Sequence, residues 1–170
     1  TLMHERTAEQ TIEQVVRKYH ATVYGYSYRL TGSVCDAEDL TQQTFLIAQQ
    51  ELKQLRNGNA IEAWLLSITR SLFLKSRRDR LLPTEPELLD EQPCSGPAEI
   101  QEEIDEERLQ QALNKLPEFQ RLVLTMYYYE QLSYKEIAEQ LGLPIGTVMS
   151  RLSRAKQALK RLLHNGKPPV

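Results

Sequence analysis

Residues Leu132–Lys160 read LSYKEIAEQLGLPIGTVMSRLSRAKQALK. Ser133 followed three residues later by Glu136 is a capping box, so a helix is expected to start at Tyr134. Ile137, Ala138 and Leu141 are its inward positions. Gly142 ends it, residues 143–146 make the turn, and Thr147 is expected to cap a longer helix. On that second helix Val148, Leu152, Ala155, Leu159 and Leu162 face inward. The spacing is that of a helix-turn-helix. Ala138 is small where the two helices cross, Gly142 follows four residues later at the sharp turn, and Val148, ten after Ala138, plugs the angle. Such a unit lays its second helix in the major groove of DNA. The outward side carries Thr147, Met149, Ser150, Arg151, Ser153, Arg154 and Lys156. Arg suits guanine edges and phosphates, Ser and Thr suit phosphates, and Met offers apolar contact to thymine methyl groups. The competing reading of the same pattern is an antiparallel helical hairpin without a DNA role. The capping box and the three matched spacings favour the helix-turn-helix.

Outward from this motif the chain continues to read as helix. Upstream, helix is expected from near Ala98 to Leu116, with Ile100, Ile104, Leu109, Ala112, Leu113 and Leu116 apolar. Pro117 interrupts, and Phe119–Tyr129 forms another helix. Residues 82–97 hold Pro83, Pro86, Pro93, Gly96 and Pro97; prolines remove donors and break helices, so this is a linker. At the N-terminal side, Ile12, Val15, Val16, Tyr19, Val23, Tyr26 and Leu30 form one face of a helix from about Thr7, stopped at Gly32. Asp36 is expected to cap a second helix to about Leu55, with Ala37, Leu40, Thr44, Ile47, Ala48 and Leu55 as its buried stripe. Asp39, Gln42 and Gln43 fall off that stripe and are available to a partner. After the turn Arg56–Asn59, Asn59 caps a third helix to about Arg80, with Ile61, Trp64, Leu65, Ile68 and Leu72 inward. No strand alternation or hairpin signal stands out. The expected fold class is therefore all-α: two small helical domains joined by a Pro-rich acidic linker, the second containing the helix-turn-helix.

The 170 residues suffice for one domain or two small ones. The net charge of -2 conceals a strong asymmetry. Residues 83–107 hold ten acids and no Lys or Arg, whereas residues 108–170 hold ten Lys/Arg against four acids. Residues 1–82 hold eleven Lys/Arg and nine acids, and Arg70, Lys75, Arg77, Arg78 and Arg80 crowd the end of the third helix. Cations there are favoured by the helix dipole, but five in eleven residues exceed that role. Basic parts flanking an acidic strip point to nucleic acid, while a solvated linker is the plain reading of the strip itself. No apolar run approaches the ~18 residues of a membrane span. Residues 1–9 lack the apolar core of a signal peptide, so a cytoplasmic protein without membrane insertion is expected. Cys35 and Cys94 are placed in loops, and with His4, His20 and His164 they show no metal-ligand spacing. No paired carboxylates, nucleophile–base arrangement or phosphate loop is found, so no catalytic residue, metal, cofactor or enzyme activity is expected.

These residues resemble the extracytoplasmic-function (ECF) group of bacterial RNA polymerase sigma factors, over about Ile12–Leu163. The resemblance is carried by DAEDLTQQTFLIA (Asp36–Ala48), AWLLSITRSL (Ala63–Leu72) and the run from Leu116 to Lys156 beginning LPEFQRLVLTMYYYEQ. Each is moderately specific alone; three in order, with a Pro-rich linker between the last two, are highly specific. The resemblance implies a first domain over 7–82, a linker over 83–99 and a second domain over 100–165. It implies that Asp39, Gln42 and Gln43 bind the RNA polymerase core. It further implies that Arg56, Asn57, Asn59, Arg70, Ser71, Lys75, Arg77 and Arg78 serve capture of the melted minus-ten element of promoter DNA. The helix-turn-helix would take the minus-thirty-five element, the acidic linker would run through the RNA exit path, and an anti-sigma factor would control the whole. The chain departs from the family pattern at Gln43 (usually Glu), Ile47 and Gln49 (often Arg and Trp), Ser71 (often Asn), Tyr127 (commonly Arg) and Gln131 (commonly Gly). Two rival functions share these features: a sigma-like decoy for an anti-sigma factor, and a stand-alone helix-turn-helix regulator. The retained Arg77, Arg78, Arg151 and Arg154 speak against the decoy, and the lack of a dedicated dimerisation helix against the regulator.

Overall fold

The structure, a computed structural model, describes residues 11–55, 60–78 and 105–165. Among them are seven α-helices: α1 (Ile12–Thr31), α2 (Val34–Glu51), α3 (Ile61–Ser76), α4 (Glu106–Asn114), α5 (Glu118–Tyr128), α6 (Tyr134–Leu141) and α7 (Ile145–Asn165). A short 3-10 turn, Leu52–Gln54, follows α2. No strand occurs among the described residues. The helices fall into two compact units. One contains the described residues up to Tyr28 and Ser33–Ser76; the other contains Arg29–Gly32 and those from Arg77 onward.

The first unit is a three-helix core. Val15, Tyr19 and Val23 of α1 meet Phe45 and Ala48 of α2 and Ile61 and Leu65 of α3. Fully burying one such side chain stabilises by about 1.5–3 kcal/mol. A hydroxyl network runs through this unit. Thr41 Oγ1 donates to the Ala37 carbonyl at 2.7 Å and lies 3.3 Å from Ser27 Oγ, while Thr44 Oγ1 and Thr69 Oγ1 are 3.0 Å apart. The expected stripe missed Thr41 and Phe45 on α2 and Leu66, Thr69 and Phe73 on α3, all of them buried. Ile47, Trp64 and Leu72, expected inside, are half-buried.

Helix ends differ in detail from expectation. Thr11 and Gln14 form a reciprocal cap that starts α1: Thr11 N–H donates to Gln14 Oε1 at 3.0 Å and Gln14 N–H to Thr11 Oγ1 at 3.4 Å. Gly32, at φ +68°, ends α1 in the left-handed region as expected. Ser33, not Asp36, caps α2, because its hydroxyl accepts from the Asp36 N–H at 3.4 Å. Asp36 thereby sits in the first turn, where its carboxylate still suits the helix dipole. Cys35 accordingly lies in helix, not in a loop. The Asn59 cap, the linker, Cys94, Ile100 and Ile104 lie outside the described residues.

In the second unit, α7 packs on α4, α5 and α6. Ala112, Leu113 and Leu116 join Leu122, Val123, Met126, Ile137, Val148, Leu152 and Ala155 as its buried apolar residues. Arg108 of α4 donates to the Leu163 carbonyl in the last turn of α7, where a cation also suits the helix dipole. Among the described residues the sole non-glycine residue at positive φ is Gln131, at +56°, where the chain leaves α5. That is the position at which the resembled family commonly carries glycine.

Candidate nucleic-acid and polymerase interfaces

The helix-turn-helix is built as its spacing predicts at the first helix and the turn. Ser133 N–H donates to Glu136 Oε2 at 2.7 Å and Glu136 N–H donates to Ser133 Oγ at 3.2 Å. The Ser133 N–H bond first, and the Ser133 hydroxyl second, favour the charged carboxylate and hold Glu136 below its ordinary pKa of 4.5. Gly142, at φ +64°, ends α6, and the Leu143 N–H returns to the Ala138 carbonyl at 3.0 Å, closing a Schellman-type end. Ile137, Ala138, Val148, Leu152 and Ala155 are buried between the helices. The second helix starts earlier than expected. The Pro144 carbonyl accepts from Thr147 N–H at 3.0 Å and Val148 N–H at 3.2 Å, so α7 begins at Ile145 and Thr147 lies inside it. Thr147 is therefore not the cap.

On the outward side of α7, Met149 is exposed, and Thr147, Ser150, Arg151, Ser153, Arg154 and Lys156 are half-buried. Ser150 Oγ donates to the Thr147 carbonyl at 3.1 Å, leaving its lone pairs for a partner. Two of the cations rest on aromatic rings of α5. The Arg151 guanidinium carbon lies 4.4 Å from the Phe119 ring centroid. The Lys156 ammonium lies 4.4 Å from the Tyr127 centroid and 5.5 Å from that of Tyr128. Tyr127 in turn stacks on Tyr134, the first residue of α6, with centroids 5.4 Å apart. The sequence reading missed this aromatic support. Its signal was present, since Phe119 and Tyr127 are eight residues apart on one helix and so near one face.

Below α7, Arg121 of α5 is buried. Burial pushes its pKa below the ordinary arginine value, with the Glu118 carboxylate opposing the shift and Arg77 adding to it.

The basic end of α3 divides into different environments. Ser71, Lys75 and Arg78 are exposed. Ser71 Oγ donates to the Ser67 carbonyl at 2.8 Å. Arg77, which belongs to the second unit, places Nε 3.2 Å from Glu118 Oε1. Arg70 does not lie on a DNA-facing surface: it is 3% exposed. The cause is its register. Arg70 falls four residues after Leu66 and three before Phe73, both buried, so it shares their inward face. Arg56, Asn57 and Asn59 lie outside the described residues.

On α2, Asp39, Gln42 and Gln43 are all exposed, as their place off the apolar stripe predicts. Beside them runs an open groove of about 730 Å³ between α1 and α2, lined by Ile12, Val16, His20, Phe45 and Leu46 among others. Leu46 is 59% exposed. His20 stacks at a 6.2 Å centroid distance on Phe45 and at 6.4 Å on Tyr24.

A capped helix, a left-handed glycine turn and a basic second helix therefore follow a separate helical unit with an exposed acid–amide face. Comparison with known proteins places both units. Residues 15–81 match the family model of sigma-70 region 2, and residues 106–159 match that of sigma-70 region 4. The ECF RNA polymerase sigma factor SigL of Mycobacterium tuberculosis is 32% identical over 92% of this chain and 91% of its own length. The chain belongs to the ECF sigma factors. The ECF RNA polymerase sigma factor SigE of Mycolicibacterium smegmatis is 37% identical over 94% of this sigma factor, which spans 64% of that relative's length. Among solved structures, the sigma factor RpoE of Bartonella quintana, in complex with the anti-sigma factor NepR, is similar at 27% identity and a TM-score of 0.63. The match covers 91% of this sigma factor and 98% of that chain. Sigma factors are transcription initiation factors. No described helix is long and apolar enough to cross a membrane.

Proposed function

We propose that this chain binds the RNA polymerase core in the cytoplasm and directs it to specific promoters, without performing a chemical step of its own. In this reading residues 7–82 form the core-binding and minus-ten domain, 83–99 the linker and 100–165 the minus-thirty-five domain. The observation that carries it is the helix-turn-helix. A Ser133–Glu136 capping box and Gly142 turn present the side of α7 with Thr147, Met149, Ser150, Arg151, Ser153, Arg154 and Lys156. These residue types serve phosphates and base edges together. On α2, exposed Asp39, Gln42 and Gln43 offer one carboxylate and two amides to a basic, polar partner surface. Ser71, Lys75, Arg77 and Arg78, with Arg56, Asn57 and Asn59, serve the melted strand, where a basic groove and pockets for unstacked bases are needed. Arg70 supports that surface from inside instead of touching DNA. The relative solved with an anti-sigma factor supports control by such a partner here.

The test is transcription with purified bacterial core polymerase and a library of promoter-like DNA. Factor-dependent transcripts that share two spaced upstream elements are expected. Core binding without transcripts would instead identify a decoy for an anti-sigma factor. Absence of core binding would identify a stand-alone DNA-binding regulator.

A further inference from the structure

Arg151 and Lys156 are recognition-helix cations held by rings, and all three rings sit on α5. Phe119 lies under the Arg151 guanidinium, and Tyr127 with Tyr128 under the Lys156 ammonium. Among the described residues neither cation has a carboxylate partner within 4 Å. The carboxylate next to Phe119, Glu118, is engaged 3.2 Å from Arg77.

The choice of a ring over a carboxylate has a consequence at a DNA-facing surface. A long, rotamer-rich side chain loses affinity to ordering when it binds, unless it is ordered beforehand. A carboxylate would order Arg151, but it would also cancel its charge and repel the phosphate backbone. A ring face attracts the cation through its quadrupole and carries no net charge. A ring, unlike a carboxylate, also takes up none of the five guanidinium N–H donors in hydrogen bonds, so they remain for phosphate oxygens or guanine O6 and N7. Pinning by a ring thus keeps both the charge and the hydrogen-bonding edge.

We propose that Phe119 is a positioning residue for DNA recognition: its ring holds Arg151 in its binding orientation without neutralising it. The proposal rests on α7 being the recognition helix. Phe119 itself need touch no DNA. Lys156 on Tyr127 repeats the device five residues further along α7, so α5 acts as a platform beneath two contacts.

The experiment uses the full chain assembled on bacterial core polymerase and upstream duplexes enriched from a random-sequence library, with affinity measured across a salt series. Phe119→Leu is expected to weaken binding about two- to five-fold, the range of an exposed cation–π contact. It should leave the slope of log affinity against log salt unchanged, because no charge is lost. Phe119→Tyr should restore the parent affinity. In an Arg151→Ala background, Phe119→Leu should cost nothing further. Phe119→Met replaces Leu if melting curves show that Phe119→Leu fails to fold. An equal loss in both backgrounds means that Phe119 acts on folding alone and overturns the proposal. So does unchanged affinity for Phe119→Leu when Arg151→Ala weakens binding. If Arg151→Ala alone alters neither affinity nor salt slope, the recognition-helix reading fails first and the proposal falls with it.

Discussion

Thr44 Oγ1 of α2 and Thr69 Oγ1 of α3 face each other at 3.0 Å inside the first unit. Thr44 Oγ1 also lies 2.8 Å from the Leu40 carbonyl, and Thr69 Oγ1 2.9 Å from the Leu65 carbonyl. Two hydroxyl protons serve three contacts, so at most two are hydrogen bonds at any moment. Removing one hydroxyl therefore leaves the other with a donor role to its own helix. Thr44→Val or Thr69→Val is expected to cost no more than about 1 kcal/mol each. The double variant should cost clearly less than the sum, because the second substitution removes an already depleted contact. Urea unfolding of the four proteins in the cycle measures this; strict additivity would show that the 3.0 Å contact contributes nothing.

Gln131 holds φ +56° where α5 gives way to the strand of chain before Ser133. An L-residue is disfavoured there by contact between Cβ and the backbone, whereas glycine is not. Gln131→Gly should stabilise the second unit by about 1 kcal/mol, raising its melting temperature by roughly 4–8 °C. Gln131→Val should lower it. Scanning calorimetry reads both, and a destabilised glycine variant would mean that the Gln131 side chain compensates for the backbone.

Much of this architecture was legible in the sequence because two signals coincided. Ser133 with Glu136, and Gly142 four residues after Ala138, combine local capping chemistry with helical periodicity, and both survive in the structure. Where only one signal acted, the reading slipped. Asp36 and Thr147 are good caps by type, but Ser33 and Pro144 stood nearer the first helical turn. The resemblance puts Arg70 on the strand-capturing face with Ser71 and Lys75, while its register between Leu66 and Phe73 places it inside. The rings under Arg151 and Lys156 depend on how α5 packs against α7, a tertiary fact that a one-dimensional pattern does not encode.

Glu136 links the helix-turn-helix to pH. Its folded pKa lies below 4.5, chiefly through the Ser133 N–H bond and then the Ser133 hydroxyl. A carboxylate with a depressed folded pKa contributes stability above its unfolded value and loses it as pH falls through the folded value. The capping contribution should therefore be complete at neutral pH and disappear in acid below about pH 4.5. Glu136→Gln should remove this part of the acid dependence. Ser133→Ala should cost about 0.5–2 kcal/mol at neutral pH and return the Glu136 titration toward its ordinary value. Carboxyl chemical shifts followed through an acid titration check the first effect, and thermal melts the second.

Arg70 and Lys75 separate folding from binding on a single helix. Arg70 is 3% exposed, so Arg70→Ala removes packing and buried polar contacts together and should cost about 2 kcal/mol or more. Lys75 is exposed in the last turn of α3, and Lys75→Ala should change stability by less than about 0.5 kcal/mol. The order reverses for single-stranded DNA bound by the chain on core polymerase. There Lys75→Ala should weaken binding and shallow the salt dependence by about one on a log–log plot. Arg70→Ala, held at a temperature where it is folded, should leave that slope unchanged. A slope lowered by Arg70→Ala would return Arg70 to the DNA-contacting set.

Asp39 and Gln43 sit four residues apart on α2, both exposed, and so present neighbouring positions to a partner. Glutamate at position 43 would place a second carboxylate beside Asp39 without burying either in the free chain. If a basic core surface binds here, the added charge strengthens the contact, while in the free protein the like-charge pair costs only a few tenths of a kcal/mol. Gln43→Glu is therefore expected to tighten core binding about two- to five-fold and to make it more salt-dependent. Asp39→Ala should weaken it by a similar factor, leaving binding of the upstream duplex element untouched. Titration of labelled core polymerase with each variant at two salt concentrations decides the matter. Opposite effects of the two substitutions, larger at low salt, identify an acidic contact; no effect of either moves core binding off this face of α2.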